Sequence, residues 1–260
     1  MTNVSASEVY ASKIRYLASV FVDARHAVAT PKDVGTLLAA LDDDRLLPTT
    51  IQEVGPGGIT QRIAFNSADQ SILLALTGTR FDYSYQATSP LGNSLGNFKE
   101  FCHDADQKLN IALAHFKLRG NRLAAVQEGY LPEMSLAESQ KIASNLLKVP
   151  PTYSDKAIRE WSWRINSTMR RKVNSQNESM NMIVAAGNMR GYAFLPGTTQ
   201  NLERVDVDKI RVDFDINTLP ENVAARFNKI HVHSFLSNVP IWQEEFVDEI
   251  LTLMYDGVMQ

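Results

Sequence analysis

Apolar and polar residues alternate most regularly in KIRVDFDINT (Lys209–Thr218), the pattern of a strand with one face on a core. Thr218 and Glu221 then stand three apart in T-L-P-E, the spacing of a capping box with proline early in the first helical turn. Val223, Phe227, Ile230 and Ser234 recur at helical intervals, and SNVP (Ser237–Pro240) divides that helix from a second one stopping near Gly257. The segment 209–257 therefore predicts a strand feeding a helix hairpin.

Upstream, Ser5 and Glu8 make another capping box, and Val9, Ile14, Leu17 and Phe21 have amphipathic helical spacing, although YLASVFVDA also suits a strand. Thr30-Pro31 opens a helix through Val34, Leu37, Leu38 and Leu41. From Ile51 to Ala87 the pattern changes to an antiparallel meander: EVGPGGI turns, ITQRIAFN alternates, SILLALT is a compact apolar run, and Phe81, Tyr83 and Tyr85 share one face. Asn97 caps a helix with the stripe Phe98, Phe101, Ala105, Leu109, Ala112 and Phe116, closed by Gly120. RLAAVQEGY is a strand, and Ser135 with Glu138 caps a helix through Ile142, Leu146 and Leu147.

Val149–Pro151 ends the first half, because a double proline continues neither a helix nor a central strand. Residues 1–150 and 151–260 are thus expected to form two related-looking halves. In the second, REWSWRIN and SMNMIVAAGNMRG are strands joined by the polar link RKVNSQNES. Strands and helices are segregated along the chain rather than alternating. That predicts an α+β fold of antiparallel meanders with helices packed on one face.

The 260 residues are 44% apolar and 21% charged, and the net charge is -3, which gives no general attraction to nucleic acid or anionic membranes. A single cysteine, Cys102, excludes an intramolecular disulfide and a thiolate zinc cluster. MTNVSASEVY lacks the basic and apolar regions of a signal peptide, and no apolar run approaches a membrane span, so a cytoplasmic protein without a membrane association is expected.

Two motifs suggest metal chemistry. His231 and His233 would share a face of a strand, but helical spacing around them turns their side chains to opposite sides. Asp213 and Asp215 do share a face of their strand and are candidate metal ligands; the bland alternative is the solvated side of a half-buried strand, beside Arg211 and Asn217. A metal-dependent nuclease or phosphohydrolase would also need a third ligand and a base, for which Glu128, His233 and Glu244 are candidates. Cys102 and His103 diverge on their helix, and GPGG and GYAFLPGTT lack the lysine of a phosphate loop. No catalytic residue and no cofactor is assigned.

A basic group, Arg164, Arg170, Arg171, Lys172 and Arg190, lies near Trp161 and Trp163, a combination that suits RNA or nucleotide binding. The tryptophans alternate with Ser162 and Arg164, which turns them to the core and the arginines to solvent. Asn174, Gln176, Asn177, Asn181 and Asn188 make the same hairpin amide-rich, which favours an interaction surface or an edge strand pairing with another subunit.

From Arg159 to Gly257 the element order resembles that of the SecB chaperone. RIAFNSADQSILLALTGTRFDYSYQ and KIRVDFDINT…FNKIHVHSFLSNVPIWQEEFVDEI also resemble an uncharacterised, sporadically distributed bacterial family of about this length. The first resemblance implies binding of proteins or extended segments by a homo-oligomer, and the second an accessory, sensor or antitoxin-like role in phage defence or a toxin system. The chain is accordingly expected to be a non-enzymatic protein-binding protein, with another protein or itself as partner.

Overall fold

A computed structural model of the protein describes residues 10–148, 150, 156, 158–196 and 202–256. The capping box at Ser5 and Glu8, the boundary at Val149–Pro151, the segment GYAFLPGTT and the stop at Gly257 lie wholly or partly outside these residues. The elements run β1 (Ser12–Phe21), α1 (Pro31–Leu41), β2 (Leu47–Gly55), β3 (Gly58–Asn66), β4 (Ile72–Leu76), β5 (Arg80–Gln86), α2 (Phe98–His115), β6 (Arg122–Tyr130), α3 (Leu136–Leu146), β7 (Ser162–Val173), β8 (Gln176–Pro196), β9 (Leu202–Thr218) and α4 (Lys229–Tyr255).

The strands form one antiparallel sheet in the order β2-β3-β4-β5-β1-β6-β9-β8-β7, so the fold is α+β, with the helices packed on one face. The sheet runs straight through the sequence boundary near residue 150, because β6 from the first half pairs with β9 from the second, Ala124 opposite Asn217 through Tyr130 opposite Arg211. Under the helices, Tyr16, Phe65, Phe81, Tyr83, Phe101 and Phe235 are fully buried in one cluster. Tyr10, Ile142, Trp161, Val212 and Phe214 form a second cluster beneath α3 and α4.

Local signals were accurate where a cap or turn decided the outcome. Thr30 accepts from Asp33 N at the start of α1, Asn97 from Lys99 N at α2, and Ser135 and Glu138 form the reciprocal box of α3. Three readings change. The first apolar segment is the strand β1, the alternative that YLASVFVDA offered, rather than a helix: Tyr16, Ala18 and Val20 face the core while Leu17 and Phe21 stand on the opposite face, and a strand with apolar residues on both faces lacks the period-two pattern that would have marked it. Gly120 does not close α2. The helix ends at His115, Lys117 takes the left-handed turn (φ 53°), and Gly120 instead exchanges two backbone hydrogen bonds with Phe227.

The third change is at the C-terminal unit. Thr218 does not cap a helix; it ends β9, where its Oγ1 accepts from Leu123 N at 3.0 Å. The cap lies ten residues on, where Asn228 receives Ile230 N and His231 N and the His231 ring returns to Asn228. In place of a helix hairpin there is one 27-residue helix, which continues through Pro240. An internal proline costs about 3 kcal/mol through its lost hydrogen bond and its clash. Burial on both sides of it offsets that cost: Val239 and Trp242 are in the core, and Phe235 meets Trp242 edge-on at 6.0 Å.

Gly129 marks the tightest packing. A Cβ placed there would lie 2.2 Å from Cδ1 of Tyr10, whose ring lies over the strand and meets Phe214 edge-on. Gly129→Ala is expected to lower the unfolding free energy by about 1–3 kcal/mol, the usual cost of overpacking. Urea unfolding measures it, and an unchanged midpoint would contradict this packing.

Candidate functional site

Alternation along the strands sends every second side chain away from the helices, and the register lines these residues up in rows across the sheet. One row runs Leu73, Ser84, Leu17, Val126, Asp215, Ile183, Asn166. Its aliphatic members are only partly buried. A second row runs Ala64, Ala75, Asp82, Ser19, Ala124, Asn217, Asn181, Thr168. A third comprises Arg15, Glu128, Asp213, Ala185 and Arg164, and a fourth Arg80, Phe21 and Arg122. The face thus has an aliphatic middle between polar and charged borders, and among the described residues no helix or strand lies over it.

Its acids are held by arginines. Glu128, 5% exposed, pairs with Arg15 and receives Arg211 at 3.0 Å; Arg211 also donates to Asp213 at 2.7 Å. Asp82 accepts from Ser19 Oγ at 2.5 Å and Arg80 Nε at 2.7 Å. Asp215 accepts from Asn217 Nδ2 at 2.9 Å, and Asn217 Oδ1 receives Arg122 at 2.9 Å and Asn181 at 3.1 Å. The guanidiniums of Arg122 and Arg80 lie 4.7 and 5.6 Å from the centre of the Phe21 ring. Burial pushes the carboxyls of Asp82, Asp213 and Asp215 above the ordinary value, opposed by these hydrogen bonds and nearby arginines.

Asp213 and Asp215 do share a face, and Glu128 stands opposite Asp213. The other expected participants are elsewhere: His233 and Glu244 belong to α4, on the far side of the sheet. Among the described residues no three His, Cys, Asp or Glu side chains are grouped to hold a metal ion. His231 and His233 do not converge. His231 is buried in the α4 cap, whereas His233 Nδ1 lies 2.7 Å from Asp106 of α2. Cys102 is buried, which raises its thiol pKa, and the neighbouring His103 bonds Gln107.

The basic group is divided by the sheet. Arg164, Arg170 and Lys172 fall on the open face of β7; Arg171 and Arg190 fall on the helical side, paired with Glu245 and Asp208. Trp161 and Trp163 pack with the second core cluster. Sequence reasoning missed Arg15, Asp82 and Arg122 as members of the face, since only the cross-strand register places them beside Asp213 and Asp215. A hollow of about 480 Å³ lies on the helical side between the start of α2 and the middle of α4, lined by Asn97, Lys99, Glu100, His103, Leu236 and Ser237. Comparison with protein-family models, curated proteins and solved structures returned no match.

Because burial favours protonated Asp215, the folded protein binds that proton more tightly than the unfolded chain. The resulting stabilisation grows as pH falls through the raised pKa and is complete below the unfolded value of about 3.9. Asp215→Asn is therefore expected to be more stable than the parent protein at pH 8, by a margin that shrinks steadily toward pH 3.5. Urea unfolding across that range measures the margin; a constant or widening difference would contradict the assignment.

Proposed function

We propose that this chain is a non-enzymatic binding protein that engages a protein partner through the open face of its sheet. The observation that carries the reading is the size and make-up of that face. The four rows hold 23 residues, and at about 4.8 by 7 Å of sheet each they cover roughly 770 Å², one partner's share of a standard protein interface. An aliphatic middle with a polar border is also the usual anatomy of such surfaces. A small-molecule site would instead be an enclosed concavity.

Two other readings are less well supported. Metal-dependent hydrolysis needs carboxylates available to a cation, whereas Glu128 and Asp213 are engaged by Arg15 and Arg211. Single-stranded nucleic acid needs aromatic platforms beside its cations. Here both tryptophans turn to the helical side, and on the open face Tyr130 is buried and Phe21 sits beneath two guanidiniums. A setting in phage defence or a toxin–antitoxin pair rests on the sequence resemblance alone.

The test is differential retention of a partner from the native host. Leu17→Lys with Val126→Lys places two charges in the aliphatic row; Ile241→Lys alters the exposed side of α4 as a control. The first variant should lose the partner at least ten-fold while keeping its unfolding midpoint, and the second should retain it. A partner lost by Ile241→Lys and kept by the double variant would refute this reading.

A further inference from the structure

The outermost strand, β7, differs from the rest of the face in how its charges are compensated. On its helical side Arg171 pairs with Glu245. On its open side Arg164, Arg170 and Lys172 are exposed, and their neighbours on β8 are Ala185, Ser179 and Asn177, none of which carries charge. Among the described residues none of the three forms an ion pair, although Arg15, Arg45, Arg62, Arg80, Arg211 and Arg226 all do. Asn166 and Thr168, also exposed, complete an unbroken polar line from 164 to 172. Arg164 is near enough to Asp215 to oppose the rise of that carboxyl's pKa, so the row's uncompensated charge is that of Arg170 and Lys172, and in a chain of net charge -3 it is not a consequence of excess base.

The strand's backbone is uncompensated as well. β7 pairs with β8 along its full twelve residues, and among the described residues no strand pairs with its other edge. Such an edge, about 40 Å long, is a template for one more strand. Cations on an edge strand often serve only to deter pairing. These three project over the open face, where an added strand's side chains would lie beside them. They oppose a basic or apolar strand and favour an acidic one.

We propose that β7 is the docking edge for an extended, acidic segment of the protein partner, which adds a tenth strand and sets its carboxylates beside Arg164, Arg170 and Lys172. The inference rests on the open face being a protein-binding surface and names the chemistry that binds at its border. Main-chain pairing supplies affinity, and the cations select acidic residues at alternate positions.

The probe is a fluorescein-labelled decapeptide of alternating glutamate and threonine, followed by anisotropy. It should bind the intact protein, lose at least ten-fold in affinity to Arg170→Glu/Lys172→Glu, and be unaffected by Arg119→Glu, an exposed change elsewhere. Two further peptides, N-methylated at the odd or at the even positions, separate strand addition from charge attraction: one of the two should bind at least ten-fold more weakly. Absence of binding, indifference to the charge reversal, or equal binding of both methylated peptides would overturn the inference. So would equal or tighter binding of a twelve-nucleotide single-stranded RNA. Such a result combined with a native partner still lost by the Leu17/Val126 double variant would remove the acidic segment and leave the open-face reading standing; if that variant also kept the partner, both would fall.

Discussion

The ladder between β6 and β9 is the constraint on which the remaining architecture depends. It joins chain segments from opposite sides of the proline boundary, and among the described residues β7, β8 and the long ribbon they share with β9 pair with the rest of the sheet through it alone. Its closure is reinforced at both ends. Arg211 reaches across it to Glu128 at 3.0 Å, Arg122 to Asn217 at 2.9 Å, and Thr218 Oγ1 accepts the Leu123 amide. Beyond Thr218 the chain is tied back by the paired backbone bonds of Gly120 and Phe227 and by Arg226, which holds Glu178. Two segments that read as separate halves therefore share one sheet and a continuous helical layer.

The same ladder creates the open face. Antiparallel register sets Asp213 beside Glu128 and Asp215 beside Val126, so acids from one half meet arginines and aliphatic residues from the other. Removing either partner of a buried pair leaves an uncompensated charge, which costs several kcal/mol. The arginines at Glu128 and Asp213 are thus required by the burial of the acids, and their presence directs those carboxylates away from cation chemistry. Among the described residues, Arg170 and Lys172 of the outer strand form no ion pair, and there solvent screens their charge and a partner can reach it.

Much of the fold was legible in the sequence because caps and turns are local. The caps at Thr30 and Asn97, the capping box at Ser135, the meander from Ile51 to Ala87, and the divergence of His231 from His233 all follow from spacing along the chain. The misread elements depended on what packs against them. β1 is masked because it carries apolar residues on both faces, Tyr16, Ala18 and Val20 on one and Leu17 and Phe21 on the other, and the Thr218–Glu221 box is displaced because Thr218 is used by the sheet. Pro240 remains inside α4 because the core holds both of its flanks. The site was half legible. Asp213 and Asp215 could be placed on one face, but Arg15, Asp82, Glu128 and Arg122 come from strands far apart in sequence, and register between distant strands has no local signature.

The central claim is that the open face, rather than the helical layer, meets a partner. Hydrogen–deuterium exchange of the free protein and of its complex with the partner retained from the native host tests this directly, because it locates the contact without altering a residue. The account predicts slowed exchange on complex formation in β7, with adjoining protection in β8 and β9, and unchanged exchange in α1, α2 and α4. Protection confined to the helices, with β7 exchanging as in the free protein, would contradict it.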